Sequence, residues 1–430
     1  MRAVFSRLIV LLPVLLAMAC VVGTLCAAFL WSLDAVTRAR FDHPWLLFLL
    51  PLGGAGIGWL YHRVGQSVEG GNNLILDEIH EPGGGVPLRM APLVFIGTVA
   101  THLFGGSAGR EGTAVQLGGS IASAAARIAR LDEAGVQVLL KAGIAAGFGA
   151  VFGTPLAGAV FALEVLAIGR VHLPGLLACV IAGYAGDWAC QAWGIHHTPY
   201  AIHYAGGWNG LLLLKATIAG AIFGFASLAF AEANHVLGGW FKRHVRYGPA
   251  RPFIGGLVLI ALTYALGTRA YLGLGVWSAD PHAPTIPGFF TGPIDGWSWA
   301  LKMLFTIITL STGFKGGEVT PLFFIGAGLG NALSGVLGGP VDLFAGLGFV
   351  AVFAGAANTP LACILMGLEL FGPGPILPIA LACYAAYACS GHNGIYLSQR
   401  VWRPKLLYPG VEAGVSLRAV RAARGRGVKR

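Results

Sequence analysis

The chain has 430 residues, 56% of them hydrophobic and only 11% charged, with a net charge of +10 and a mean hydropathy of +0.73. A water-soluble domain carries roughly 25% charged residues, so a soluble fold is excluded and the bilayer is the natural solvent. A transmembrane β-barrel needs alternating segments of about 10 residues; the apolar runs here are long and unalternating, which leaves an all-α polytopic membrane protein.

The opening stretch, MRAVFSRLIVLLPVLLAMACVVGTLCAAFLW, predicts a first membrane helix near 8–33. Its apolar run exceeds the roughly 7–15 residues of a signal-peptide core. Arg2 and Arg7 put its start on the cytoplasmic side. Further apolar helices are predicted near 44–62, 90–104, 114–130, 136–151, 155–168, 173–194, 210–235, 252–270, 299–312, 321–337, 343–357, 360–371 and 375–389. Several fall short of the ~20 residues of a full crossing, which predicts tilted helices that stop midway. The Pro/Gly-rich segment 275–297 suits an interfacial loop. The apolar pattern ends near Leu407, and no second soluble domain is expected after it. The last 14 residues hold six basic side chains and no acid. They read as a cytoplasmic tail beside anionic lipid rather than as a nucleic-acid contact. Both termini then lie inside, after an even number of crossings.

The seven cysteines sit in apolar segments without a Cys-x-x-Cys pair and read as small core residues. His196, His197 and His203 lie in a loop without a completing carboxylate or cysteine, so no metal or other cofactor is expected.

Two matches within the chain share nearly one offset. Thr-Pro-Leu-Ala recurs at 154–157 and 359–362, each followed at equal spacing by a glutamate, Glu164 or Glu369. GREGTAVQLGGSIA (109–122) lies on GEVTPLFFIGAGLG (317–330) with Thr113 on Pro321 and Gly118 on Gly326. They predict a repeat at 1–205, a second at 206–410, and a basic tail at 411–430. Membrane proteins of two such halves are commonly transporters, with sites at interrupted helices near the midplane. Irregular backbone survives there only where protein or an aqueous cavity satisfies it. The breaks are EGGNNLILDE (69–78), GGSAGREGT (105–113) and GFKGGEVTP (313–321).

A glycine-rich turn feeding a helix offers free N–H groups and the positive end of the helix dipole, a ready anion site. Glu111, in the second break, is a carboxylate at such an end. Either it caps its own helix and pairs with Arg110, or it competes with a transported anion and withdraws when protonated. Glu318, in the third break, is a cap or a second proton carrier. Glu164 and Glu369 are expected to reach aqueous surface, Glu369 above all. GGSAG (105–109) also fits the Gly-x-Ser-x-Gly pattern of a hydrolase elbow. An intramembrane serine protease, with Ser107 as nucleophile and His102 or His392 as base, is the remote enzymatic alternative.

These residues resemble the CLC family of anion channels and proton-coupled anion transporters over nearly the whole chain, to about residue 407. GREG (109–112) looks like the gating-glutamate motif, which maps Glu111 to the external gate. GGEVTP (316–321) resembles the family's GGxFxP, GGNNLI (70–75) stands where chloride members have GSGIP, and GIYLSQR (394–400) maps Tyr396 to the inner-gate tyrosine. The departures agree with one another. Thr113 replaces a proline, Asn72 stands at the chloride-binding serine, Glu318 and Val319 replace an aliphatic residue and phenylalanine, and Val165 replaces the internal proton glutamate. GREGT, GNNLI and GGEVTP together are similar to the fluoride/proton antiporter branch. The resemblance implies a CLC fold of two inverted-topology repeats with interrupted and tilted helices, and a homodimer in a prokaryotic plasma membrane. It also implies export of fluoride in exchange for protons, with Glu111 as gate and Glu318 as second acid. Asn72, Asn73, Gly109, Arg110, Gly112, Thr113, Val319, Thr320 and Tyr396 are expected along the anion path. Thr113 either holds the Glu111 loop or adds a hydroxyl to that path. An asparagine amide offers fluoride two donors where serine offers one hydroxyl. A chloride/proton antiporter or passive chloride channel of the same fold is the alternative.

Overall fold

The computed structural model describes residues 2–408 and 410–427, with side chains described for 11–408 and 410–424. The side chains of Arg2 and Arg7, and residues 428–430 of the basic tail, lie outside the described residues.

Among the described residues, the first half holds eight α-helices: α1 (Arg2–Asp42), α2 (Leu50–Val64), α3 (Asn72–His80), α4 (Met90–Leu103), α5 (Glu111–Ile128), α6 (Glu133–Phe152), α7 (Pro155–Glu164) and α8 (Leu176–Ala192). Eight more follow: α9 (Gly210–His244), α10 (Ala250–Ala265), α11 (Gly288–Thr291), α12 (Ser298–Ser311), α13 (Val319–Leu337), α14 (Val341–Ala357), α15 (Pro360–Phe371) and α16 (Ile376–Cys389). The chain closes with α17 (Leu417–Gly427). Two short strands, β1 (Ala167–Ile168) and β2 (Arg400–Val401), pair in parallel. Among the described residues, five helices are long and apolar enough to cross a membrane, and the shorter apolar helices accompany them as expected.

Local chemistry sets many boundaries. The Asp132 side chain accepts the Gly135 N–H at 3.0 Å and caps α6, and Asn209 does the same for Leu212 at the start of α9. Helices α7 and α15 each start on a proline in the first turn, where the missing N–H costs nothing.

Helix packing depends on bare glycine faces. A Cβ on Gly118 of α5 would overlap the Gly143 carbonyl of α6. A Cβ on Gly326 of α13 would overlap the Gly348 carbonyl of α14 in the same way. Close backbone approach of this kind is how helices associate where no water drives them together. Phenylalanines of both halves fill the centre, with the Phe323 and Phe349 rings stacked at 4.3 Å and Phe152 against Phe323 at 4.8 Å.

The structure departs from the expectations in four places that bear on the site, besides helices that run on further than expected, α1 to Asp42 and α9 to His244. The first break is shorter than 69–78: Gly71, at φ +55°, makes the turn and a helix starts at Asn72. Helix α7 stops at Glu164 and the chain passes into β1 rather than staying helical to 168. Part of the basic tail, expected to lie beside anionic lipid, docks on the protein itself. Residues 417–427 form a helix whose Leu417 and Val420 are buried against Ile168 and Val401. Its arginines meet protein groups: Arg421 lies 2.6 Å from Glu232 and Arg418 lies 3.6 Å from Asp77.

The fourth departure concerns the paired glutamates: Glu164 is buried while Glu369 stays partly exposed, and both are tied to backbone of the other half. Glu164 accepts the N–H groups of Leu361 and Ala362 at 3.0 and 2.8 Å. Glu369 accepts those of Leu156 and Ala157 at 2.9 and 2.8 Å. Each half thus caps the other half's Thr-Pro-Leu-Ala helix. Those helices begin without a side-chain cap of their own, and a carboxylate on the free N–H groups satisfies them and the dipole together.

Candidate functional site: two helix starts meeting inside the membrane

The second and third breaks meet directly. Gly109 and Gly317 form a two-residue antiparallel bridge, with N–H to O distances of 2.6 and 2.8 Å in the two directions. The contact requires glycine: a Cβ on Gly109 would stand 2.8 Å from Pro321 Cδ and 3.0 Å from Thr320 N. From this bridge α5 and α13 start, so their N-terminal ends share one neighbourhood.

Glu111 does not cap its own helix. Its Oε2 accepts the Thr320 N–H at 3.0 Å and the Thr320 hydroxyl at 2.6 Å, both at the start of α13. The Arg110 N–H reaches the same oxygen at 3.3 Å. Oε1 lies 3.5 Å from Arg110 Nε. The residue is fully buried. The geometry holds one part of the first sequence alternative for Glu111, the pairing with Arg110, but not a cap on its own helix. Its carboxylate lies instead at the start of a helix from the other half.

Glu318 occupies the residue before α13, yet its side chain makes no cap there. Its Oε2 instead approaches Gly112, 3.7 Å from where a Cβ would stand, and Asn72 Nδ2 approaches the same point at 3.2 Å. Gly112 thereby leaves room for both groups at the first turn of α5, whose own N-terminus has no side-chain cap. Asn72 begins α3, and its Oδ1 is buried without a hydrogen-bond partner. Beyond it, Asn72, Val115, Phe161, Val165 and Tyr396 line a cavity of about 10 Å³, roughly the space of one water molecule. The Tyr396 ring meets Phe161 edge-on at 6.2 Å. Val319 is buried at the first position of α13.

Two expected path residues make side-chain bonds to other parts of the chain. The Asn73 Oδ1 accepts the Ser398 N–H at 2.9 Å. The Thr113 hydroxyl bonds the Thr98 hydroxyl at 2.8 Å, tying α5 to α4. Sequence reasoning missed Thr98, a lone threonine in an apolar helix with nothing to mark it.

Wider cavities open on both sides. On the α17 side, about 650 Å³ is lined by Tyr61, Glu69, Lys242, Arg246, Lys315 and Arg421. Lys315, from the third break, lies 3.8 Å over the Tyr61 ring. On the opposite side, about 420 Å³ is lined by Arg38, Arg40, Arg110, His196 and His197. His197 stands 3.6 Å from Asp187, a carboxylate that the loop's own sequence does not contain. No metal-holding cluster occurs among the described residues.

Ser107 is not arranged as a nucleophile. Its hydroxyl bonds the Thr306 hydroxyl at 2.9 Å, while both His102 ring nitrogens face carbonyl oxygens, of Thr98 at 2.8 Å and Ala108 at 3.1 Å. His392 Nε2 accepts the Lys405 N–H at 3.1 Å.

Comparison with known proteins agrees with this geometry. The sequence pattern of the voltage gated chloride channel family matches residues 53–391. A protein of Pseudomonas syringae pv. tomato named chloride/fluoride channel protein is 52% identical over 390 residues, covering 89% of this chain and 84% of its own length. The H(+)/Cl(-) exchange transporter ClcA of Klebsiella pneumoniae is 28% identical over 417 residues, 86% of this chain and 84% of its own. A crystal structure of a CLC-type fluoride/proton antiporter superposes with a TM-score of 0.88 at 35% identity, over 92% of this chain and 99% of the other. A slow cyanobacterial chloride/proton antiporter superposes with a TM-score of 0.77 at 18% identity, over 97% and 98%, and shows the shared fold alone. The chain is thus a multi-pass membrane protein concerned with ion transport and not an enzyme, and it belongs to the voltage gated chloride channel (CLC) family.

Proposed function

We propose that the protein is a proton-coupled antiporter that exports fluoride across a prokaryotic plasma membrane while protons move inward. One observation carries this reading: Glu111 Oε2 sits on the Thr320 N–H and hydroxyl, donors that would otherwise face an anion. Ionised, the carboxylate holds those donors and closes the path. Protonated, it loses the charge that makes such hydrogen bonds strong and gives them up to fluoride. One position thus alternates between a titratable carboxylate and a free anion, which couples the two movements.

On the α17 side, the uncapped first turn of α5, the Asn72 amide and the small cavity against Tyr396 offer the next position, with Tyr396 as inner gate. Glu318 is the carboxylate placed to relay the proton, standing beside Gly112 rather than capping α13. A water-sized cavity suits a small, strongly hydrated anion whose lost water must be replaced by close donors. The similarity to proteins named for fluoride supports the same choice. Relatives named for chloride keep chloride/proton exchange as the second reading.

The units proposed are the halves 1–205 and 206–410, supported by the Gly109–Gly317 bridge and the exchanged Glu164 and Glu369 caps. The protein is proposed to act as a homodimer with one path per subunit, since Asn72, Glu111, Thr320 and Tyr396 all come from one chain. Both termini are placed in the cytoplasm, with α17 on that face. The reading is tested in liposomes loaded with fluoride and chloride. Fluoride efflux with proton uptake and little chloride movement is expected; equal chloride efflux would refute fluoride selectivity.

A further inference from the structure

We propose that α17 is a clamp on the inner gate: Arg418 and Arg421 hold the Tyr396 loop and α3 in register, and so set how tightly fluoride movement is tied to proton movement. The proposal rests on Tyr396 being that gate.

Backbone pairing with the tail starts immediately after the tyrosine. The Arg418 N–H donates to Leu397 O at 2.9 Å and the Leu417 N–H to Gln399 O at 2.9 Å. The Val401 N–H donates to Val415 O at 2.8 Å, and the Gly414 N–H returns to Val401 O at 2.7 Å. On the other flank, Arg424 Nη1 donates to Asn393 Oδ1 at 3.1 Å, three residues before the tyrosine. The gate loop is therefore strung onto the tail from both ends.

One guanidinium then joins this loop to the helix of the anion site. Arg418 Nη2 donates to Ser398 Oγ at 3.1 Å and lies 3.6 Å from Asp77 Oδ2 on α3. The Ser398 N–H donates to Asn73 Oδ1 at 2.9 Å on the same helix. Asn72 and Tyr396 face each other across the small cavity, so their spacing depends on how α3 and residues 396–398 are held together. Arg421 fixes the far side of the tail to Glu232 of α9 at 2.6 Å.

Energetics separate a clamp from a mere strut. Arg418 and Asp77 are 60% and 50% exposed, and exposed ion pairs add little to stability. Removing them should leave the fold intact and loosen the geometry of the gate.

The test uses the full chain carrying Arg418→Ala and Arg421→Ala, reconstituted in liposomes, with fluoride efflux and proton uptake followed together. The ratio of protons to fluoride is expected to fall about threefold or more, with the thermal midpoint of the single variant Arg418→Ala in detergent unchanged and Arg418→Lys retaining most of the coupling. Asp77→Asn, which cuts the same bridge from α3, is expected to act in the same direction and serves if the double variant does not fold. Native coupling in folded double and Asp77→Asn variants would overturn the clamp. Tyr396→Ala separates the two layers. If it uncouples while the tail variants do not, the clamp alone falls. If it too leaves coupling native, the gate assignment falls and the clamp with it.

Discussion

Two pairs of glutamates belong to the two halves, Glu164 and Glu369 at matching positions and Glu111 and Glu318 in matching breaks but one position out of register, and they behave oppositely. Glu164 and Glu369 are exchanged evenly: each accepts two N–H groups at the start of the other half's helix, at nearly identical distances. The second pair is uneven. Glu111 reaches across to α13, whereas Glu318 offers no cap in return and leaves the start of α5 without a side-chain cap. Both pairs respond to the same physics, a carboxylate drawn to free N–H groups and a helix dipole. Where the exchange is even, every donor is satisfied and the result is a joint. Where it is uneven, one helix start holds a carboxylate from the other half and the other has no side-chain cap, and these are the two positions the proposed anion path uses.

The comparison breaks most decisively at Glu111. Because protonation withdraws the carboxylate, native fluoride efflux should rise as pH falls. Glu111→Gln cannot titrate, so fluoride efflux should become flat with pH and coupled proton uptake should fall by more than about tenfold. Glu318→Gln should come next, with coupling reduced about fivefold and the pH dependence at Glu111 preserved. Intact coupling in that variant would remove Glu318 from the proton route. At the even pair, Glu164→Gln and Glu369→Gln should each lower stability by about 2 kcal/mol, read as a lower thermal midpoint in detergent, while coupling stays native. A loss of coupling in either would show that the joint is part of the machinery. The smallest effect belongs to Thr113→Val, which severs the hydroxyl pair with Thr98 and should cost about 1 kcal/mol of stability without changing selectivity. A shift toward chloride would place Thr113 on the path.

Much of this contrast was legible in the chain and part was not. The helix spans were, because proline, glycine and apolar runs punctuate a membrane sequence strongly. Helix α3 was hidden, since Gly-Gly-Asn-Asn reads as a break when one glycine at positive φ suffices for the turn. Helix α17 was hidden by its charge: Leu417 and Val420 are too few apolar residues to signal docking. The matched spacing of Glu164 and Glu369 was visible, but their partners lie 197 to 213 residues away. Spacing along one half cannot reveal an exchange between halves. The same distance in sequence hid the Thr320 donors beneath Glu111 and the Ser398 bond to Asn73. Family resemblance supplied the residues; only the fold supplied which helix start each carboxylate occupies.

The central claim, that fluoride and the Glu111 carboxylate share one set of donors, is tested most directly by proton uptake on fluoride binding in detergent. Adding fluoride to the native protein in weakly buffered solution should draw protons from solution as the carboxylate is displaced. Glu111→Gln should bind fluoride with that uptake lost. Equal proton uptake by the two proteins, or fluoride binding to the native protein without uptake, would contradict it.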